Sequence, residues 1–88
     1  MKFQAKGIDG SRQCAGLFRL GRDVEAALIM VDLFDETQRL FARAPQDVQQ
    51  AWALMLRQML DCQERQDWLG LADFMEYELV DLLERLPA

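Results

Sequence analysis

The stretch DVEAALIMVDLFDETQRLFAR, Asp23 to Arg43, decides the fold class. At 100° per residue, Val24, Ala27, Leu28, Val31, Phe34 and Phe41 share one face, which is the spacing of a helix and not the alternation of a strand. Ile29, Leu33 and Leu40 form a second apolar stripe away from the centre of that face. Only a narrow polar edge is left, made by Glu25, Asp32, Asp35, Glu36, Arg39 and Arg43. A helix apolar on both sides is either central in a bundle or offers one side to another chain. Gly21 precedes the stretch, Asp23 is placed to cap it, and Glu25 sits in the first turn, where the helix dipole favours an acid.

Two more helical patterns follow toward the C-terminus. One starts at Ala44-Pro45, with Pro45 suited to the first helical position, and runs to about Arg65. Its buried face is Val48, Ala51, Trp52, Met55, Leu56, Met59 and Cys62. The other starts with Asp67 as cap and runs to about Leu86, with Pro87 ending the pattern. Its core stripe is Trp68, Ala72, Met75, Leu79, Leu82, Leu83 and Leu86. Connections this short favour antiparallel neighbours. From Arg22 onward there is no strand-like alternation and no internal repeat, so residues 22–88 read as an all-α, antiparallel three-helix bundle.

Toward the N-terminus the pattern changes. Four of the five glycines, Gly7, Gly10, Gly16 and Gly21, fall in the first 21 residues, where each opposes a helix by about 1 kcal/mol relative to Ala. Residues 1–21 therefore read as a loose glycine-rich arm, with a short extra helix near Ser11 to Leu20 as its candidate regular element. The arm carries Lys2, Lys6, Arg12 and Arg19 against Asp9, a net of +3, whereas residues 66–88 carry six acids against Arg85, a net of −5. Either the basic arm lies across its own acidic bundle, or one of the two meets a partner.

Composition limits the chemistry. The 88 residues carry a net charge of −5 and contain no histidine, which removes the commonest general base and the commonest metal ligand. Cys14 and Cys62 have no ligand spacing and read as free thiols of a reducing compartment. No signal peptide or anchor is legible, which places the chain in the cytoplasm, away from membranes. Phosphate contacts need clustered Lys and Arg, and the acidic last helix repels a duplex, so nucleic acid is not an expected partner. Acidic residues on a helix surface are ordinarily a solvated face, and no spacing points to a recessed carboxyl of raised pKa. The expectation is a protein that is not an enzyme and holds neither metal nor cofactor.

One feature exceeds what the amphipathic pattern requires. Phe74 and Tyr77 project from the side opposite much of the core stripe and are bordered by Asp73, Asp81 and Glu84. Aromatic rings among carboxylates suit a basic or amphipathic partner segment, the rings giving apolar contact and the acids orientation and faster encounter. Alternatively, Phe74 packs under the arm and Tyr77 rests on a neighbouring helix with its hydroxyl in water. A chain this short also gains from pairing with itself, and Ile29, Leu33 and Leu40 are the expected self-association surface of a dimer.

The run Met59-Leu60-Asp61-Cys62-Gln63-Glu64-Arg65-Gln66-Asp67-Trp68-Leu69-Gly70-Leu71, followed by Leu82-Leu83-Glu84-Arg85-Leu86, resembles the C-terminal half of small flagellar export chaperones of the filament-cap type. Where that family places an arginine in its third helix, this chain has Glu76-Tyr77-Glu78. The stretch Asp73 to Leu79 is also similar to small helical bacterial proteins of flagellar and surface-glycan gene neighbourhoods. Both resemblances imply a helical cytoplasmic adaptor that binds protein. The competing class is a non-catalytic regulatory or accessory subunit of an enzyme.

Overall fold

The glycine-rich N-terminal stretch is a helix. The structure, a computed structural model, describes residues 2–86, with side chains from Ala5 onward. Pro87, expected to end the last helix, lies outside them. Four helical rods follow one another: α1 (Lys2–Arg19), α2 (Asp23–Phe41), α3 (Gln46–Glu64), and a last rod. The last rod begins as α4 (Trp68–Asp73), passes through a π turn (Phe74–Glu78) and continues as α5 (Leu79–Glu84). The fold is all-α, as the hydrophobic spacing predicts, with no strand among the described residues.

The expected arm is corrected in kind. α1 packs against α2, α4, the π turn and α5, so the boundary at residue 21 is a turn inside one core and not the end of an appendage. Its inner face is built from small residues: Gly7, Ser11, Cys14 and Ala15 are all buried, with Phe18 at the C-terminal end. The physical reason is close approach. A methyl group on Gly7 would meet both δ-carbons of Leu83 at 3.6 Å, and one on Gly10 would meet Leu33 Cδ1 at 3.3 Å. Packing of large side chains into these gaps offsets the helix-propensity cost of the glycines, a case of tertiary context overriding propensity. The radius of gyration, 12.1 Å, is that of a fully docked chain of this length, about 12 Å.

Two of the three turns are built alike. At the end of α1 the Arg22 N–H donates to Leu17 O at 3.0 Å and the Gly21 N–H to Phe18 O at 3.1 Å; at the end of α3 the Asp67 N–H donates to Cys62 O at 2.8 Å and the Gln66 N–H to Gln63 O at 3.0 Å. Both are helix-terminating motifs that need one residue in the left-handed region. Gly21 (φ 77°) fills that place in the first and Gln66 (φ 58°) in the second. Asp67 then caps α4, accepting from the Gly70 N–H at 3.0 Å, as expected. Asp23 does not cap α2. Arg22 holds the cap position without a side-chain bond, since a guanidinium has no acceptor for the free N–H groups, and one carboxylate oxygen of Asp23 is buried without a hydrogen bond.

Between α2 and α3 the amide of Gln49 donates to the carbonyls of Ala42 and Ala44, both at 2.9 Å. Here the aromatic residues fix the packing. Trp52 stacks on Phe41 with ring centres 5.0 Å apart, meets Phe34 edge-on at 6.0 Å, and donates its indole N–H to Gln38 Oε1 at 2.7 Å. Phe18 of α1 stacks on Trp68 of α4 at 5.5 Å, a second tie between the supposed arm and the last rod.

From Val24 to Leu33 α2 turns the opposite face inward from the one expected, while Phe34 and Phe41 of the expected face still pack on the core. Its buried residues are Ala26, Met30, Leu33, Thr37 and Phe41, whereas Val24, Leu28 and Val31 are 79%, 68% and 64% exposed. The cause is α1: once residues 2–19 form a helix, they cover the side of α2 that carries Leu33. The inner faces of α3 and of the last rod are as predicted, with Val48, Trp52, Met59 and Cys62 buried on the first and Ala72, Met75, Leu79, Leu82 and Leu83 on the second.

Candidate functional site

The residues expected to bind a partner cluster around the π turn of the last rod. In this turn the Leu79 N–H bonds to Phe74 O, one residue further back than in an α-helix. Directly after this turn Val80, off the core stripe of a regular helix, is buried together with Leu79, Leu82 and Leu83. The two rings of the turn differ: Phe74 packs half-buried against the core, while Tyr77 is 61% exposed. The turn is tied to α1 from inside by Ser11, whose hydroxyl donates to Met75 O. Ser11 is fully buried, so this bond satisfies a polar group that burial would otherwise penalise.

Tyr77 stands between two shallow depressions. One, of about 390 Å³, is lined by Gly70, Asp73, Phe74, Tyr77 and Glu78; the other, of about 370 Å³, lies against α3 and is lined by Ala51, Met55, Tyr77, Glu78, Asp81, Leu82 and Arg85. The structure thus brings Asp73, Phe74 and Tyr77 to one hollow and Tyr77 and Asp81 to the next. Glu84 is exposed further along the rod and lines neither. Asp81 pairs with Arg85 at 3.3 Å.

Two members of the cluster escaped the sequence reading. Arg19, at the C-terminal end of α1, places Nη2 2.8 Å from Asp73 Oδ1 and Nε 3.1 Å from Glu76 Oε1. A hydrogen bond from the Tyr77 hydroxyl, and then that from Arg19, hold the Glu76 carboxyl below its usual range; Glu76 in turn raises the Tyr77 phenol. The bond to Asp73 leads the rise of the Arg19 pKa. The charge contrast between the first 21 residues and the last 23 was the signal for this contact, but it named neither residue. What the arrangement can do chemically is hold a guanidinium between carboxylates beside an exposed ring.

The side chains expected at a self-association surface are buried or half-buried within the chain. Leu33 is 5% exposed in the core, and Ile29 and Leu40 are half-buried against it, with Leu40 3.9 Å from the place a Cβ on Gly7 would occupy. Leu33 and Leu40 line the α1–α2 contact beside Gly10 and Gly7.

Both cysteines are buried and unpaired; burial pushes the Cys14 thiol up to about 11, and its Sγ lies 3.3 Å from Ala26 O. Burial thus disfavours its thiolate, the nucleophilic form of a cysteine. Among the described residues no three acidic, cysteine or histidine side chains converge to hold a metal, and no helix is long and apolar enough to cross a membrane. Comparison with protein-family models, curated proteins and solved structures finds no significant match.

Proposed function

We propose that this chain is a small non-catalytic protein-binding module whose last rod receives a basic helical segment of another protein. The observation that carries the reading is Tyr77: a large ring left mostly in water, flanked by two hollows and by Asp73, Glu76, Glu78 and Asp81. Tyrosine is enriched at interface centres because it gives a rigid apolar face with a polar tip. The carboxylates supply steering and register for a cation. Arg19 supports the same chemistry from within the chain, since a guanidinium already lies on Asp73 and Glu76. The adaptor role implied by the resemblance of residues 59–71 and 82–86 to export chaperones agrees in kind with this reading.

The test is binding of a fluorescein-labelled amphipathic peptide of arginine and leucine, followed by anisotropy at about 150 mM salt, where charges beyond about 8 Å are screened. Tyr77→Ala with Glu78→Lys weakens binding at least about tenfold, the loss of one interface anchor. Asp61→Lys on α3 changes net charge as much as Glu78→Lys does and leaves binding within about twofold, as a screened remote charge should. Equal weakening by both reduces the effect to bulk charge. A fall of several degrees in the melting temperature of Tyr77→Ala alone assigns the ring to the fold.

A further inference from the structure

The two hollows beside Tyr77 differ in what they can take. On the α4 side, Asp73 and Glu78 stand over Gly70 and Phe74. Asp73 gives one oxygen to Arg19, yet its side chain stays 64% exposed, and Glu78 forms no ion pair among the described residues. With Glu76 and Arg19 counted beside them, the charged groups there leave −2. The hollow against α3 is the more apolar of the two, with Ala51, Met55 and the buried Leu82 in its lining. Its Asp81 is already paired with Arg85, so Glu78 is its one uncompensated charge. The first hollow suits a cation. The second suits an aliphatic side chain, to which an unbranched methionine adapts well.

Tyr77 and Glu78 line both hollows, so the two are neighbours on one side of the rod. The rod residues that line them centre about six positions apart, or about 9 Å at about 1.5 Å per residue. A helix lying along the rod presents side chains on one face at four or seven residues, about 6 Å or about 10.5 Å apart. Only the longer spacing reaches from one hollow to the other.

We propose, resting on the protein-binding role of the last rod, that the partner helix is read at two points seven residues apart. An arginine enters the hollow on the α4 side and a leucine enters the hollow against α3. Arginine fits the first because its planar group lies on the face of the Tyr77 ring while bonding to Glu78. Tyr77, the wall common to both hollows, is thereby contacted from both sides, which accounts for a large ring left in water at this position.

Fluorescein-labelled helical peptides of fixed composition test this, each with one arginine and one leucine in an alanine and glutamine background. Binding to the full chain is followed by anisotropy at about 150 mM salt. With the two side chains seven residues apart, in the better of the two chain orders, binding is at least about tenfold tighter than at nine residues, where they stand on opposite faces. Replacing each peptide side chain by alanine against two protein variants gives double-mutant cycles. Asp73→Asn couples to the arginine and not to the leucine. Ala51→Gln, which fills the hollow against α3 with a helix-forming side chain, couples to the leucine and not to the arginine. Equal affinity at the two spacings, with binding still lost in Tyr77→Ala, overturns the two-point contact and leaves the protein-binding role standing. Cycles in which each variant acts alike on both peptide side chains overturn it in the same way. Binding that Tyr77→Ala does not change, or no binding of any peptide, overturns the role of the rod as well.

Discussion

α1 and α2 pack against each other along their lengths, yet they fill their shared contact in opposite ways. α1 contributes Gly7, Ser11, Cys14 and Ala15, side chains with little apolar area of their own. α2 sets Leu40 and Leu33 beside Gly7 and Gly10, buries Met30 and Phe41 as well, and still leaves Val24, Leu28 and Val31 outside. Burial in this molecule follows how closely two backbones approach more than how apolar a stretch is. A helix lined with small residues draws its neighbours in on several sides and becomes the centre of the core. A helix rich in large aliphatic residues has only one side that such a neighbour can take, and its other side stays in water.

The contrast can be broken most directly by truncating one leucine on each side of α2. Leu33→Ala removes a core side chain seated beside Gly10 and costs about 2–5 kcal/mol, whereas Leu28→Ala, measured in dilute solution, changes stability by less than about 0.5 kcal/mol. For a domain of this size the first lowers the melting temperature by well over about 8 °C and the second by only a few degrees at most. Equal losses for the two variants, read by thermal unfolding, return α2 to the orientation expected from its hydrophobic pattern.

Glycine offers a finer test within α1 itself. A methyl group at Gly16 meets nothing within 4 Å, so Gly16→Ala gains helix propensity alone and stabilises by about 0.5–1 kcal/mol. Gly21 has equally open surroundings but a φ of 77°, so Gly21→Ala destabilises by about 1 kcal/mol through backbone strain. Urea midpoints of the two variants should move in opposite directions. If both rise, the turn after α1 does not hold its left-handed residue. If both fall, the stretch is not the helix described.

Much of the fold was legible because α3 and the last rod each have one apolar face, and one face leaves no choice of orientation. The all-α class, the cap at Asp67 and the core stripes through Trp52 and Leu79 follow from spacing alone. α1 was not legible, since propensity counts each glycine as a loss and says nothing of the leucines that fill the space beside it. The error then propagated. With residues 1–21 taken as a loose arm, α2 had no reason to bury Leu33 over Leu28. At the candidate site, Tyr77 and its acidic surroundings could be read from the sequence, because an exposed aromatic among carboxylates departs from a plain amphipathic helix. The π turn could not, since the extra residue shows only in the backbone, and neither could Arg19, which reaches Glu76 across 57 residues of chain.

The smallest expected effect concerns that reach, the only place where α1 meets the last rod through charge among the described ion pairs. Glu76 is held below its ordinary value of 4.5, so its ionised form adds stability above that pH, and the contribution is lost as pH falls through the lower folded value. Tyr77 is raised above 10.0 by the same carboxylate, so its protonated form adds stability below that pH, and the contribution is lost as pH rises through the higher folded value. Tyr77 is exposed and the Glu76 side chain about a third exposed, so solvent screens both and the ion pair contributes little. The melting-temperature difference between wild type and Glu76→Gln is therefore small, flat between these two limits, and shrinks toward zero beyond each. A difference that stays constant from strong acid to strong base would show that Glu76 acts by filling space. The tie between the small-residue helix and the last rod would then rest on the packing around Ser11, Phe18 and Trp68 alone.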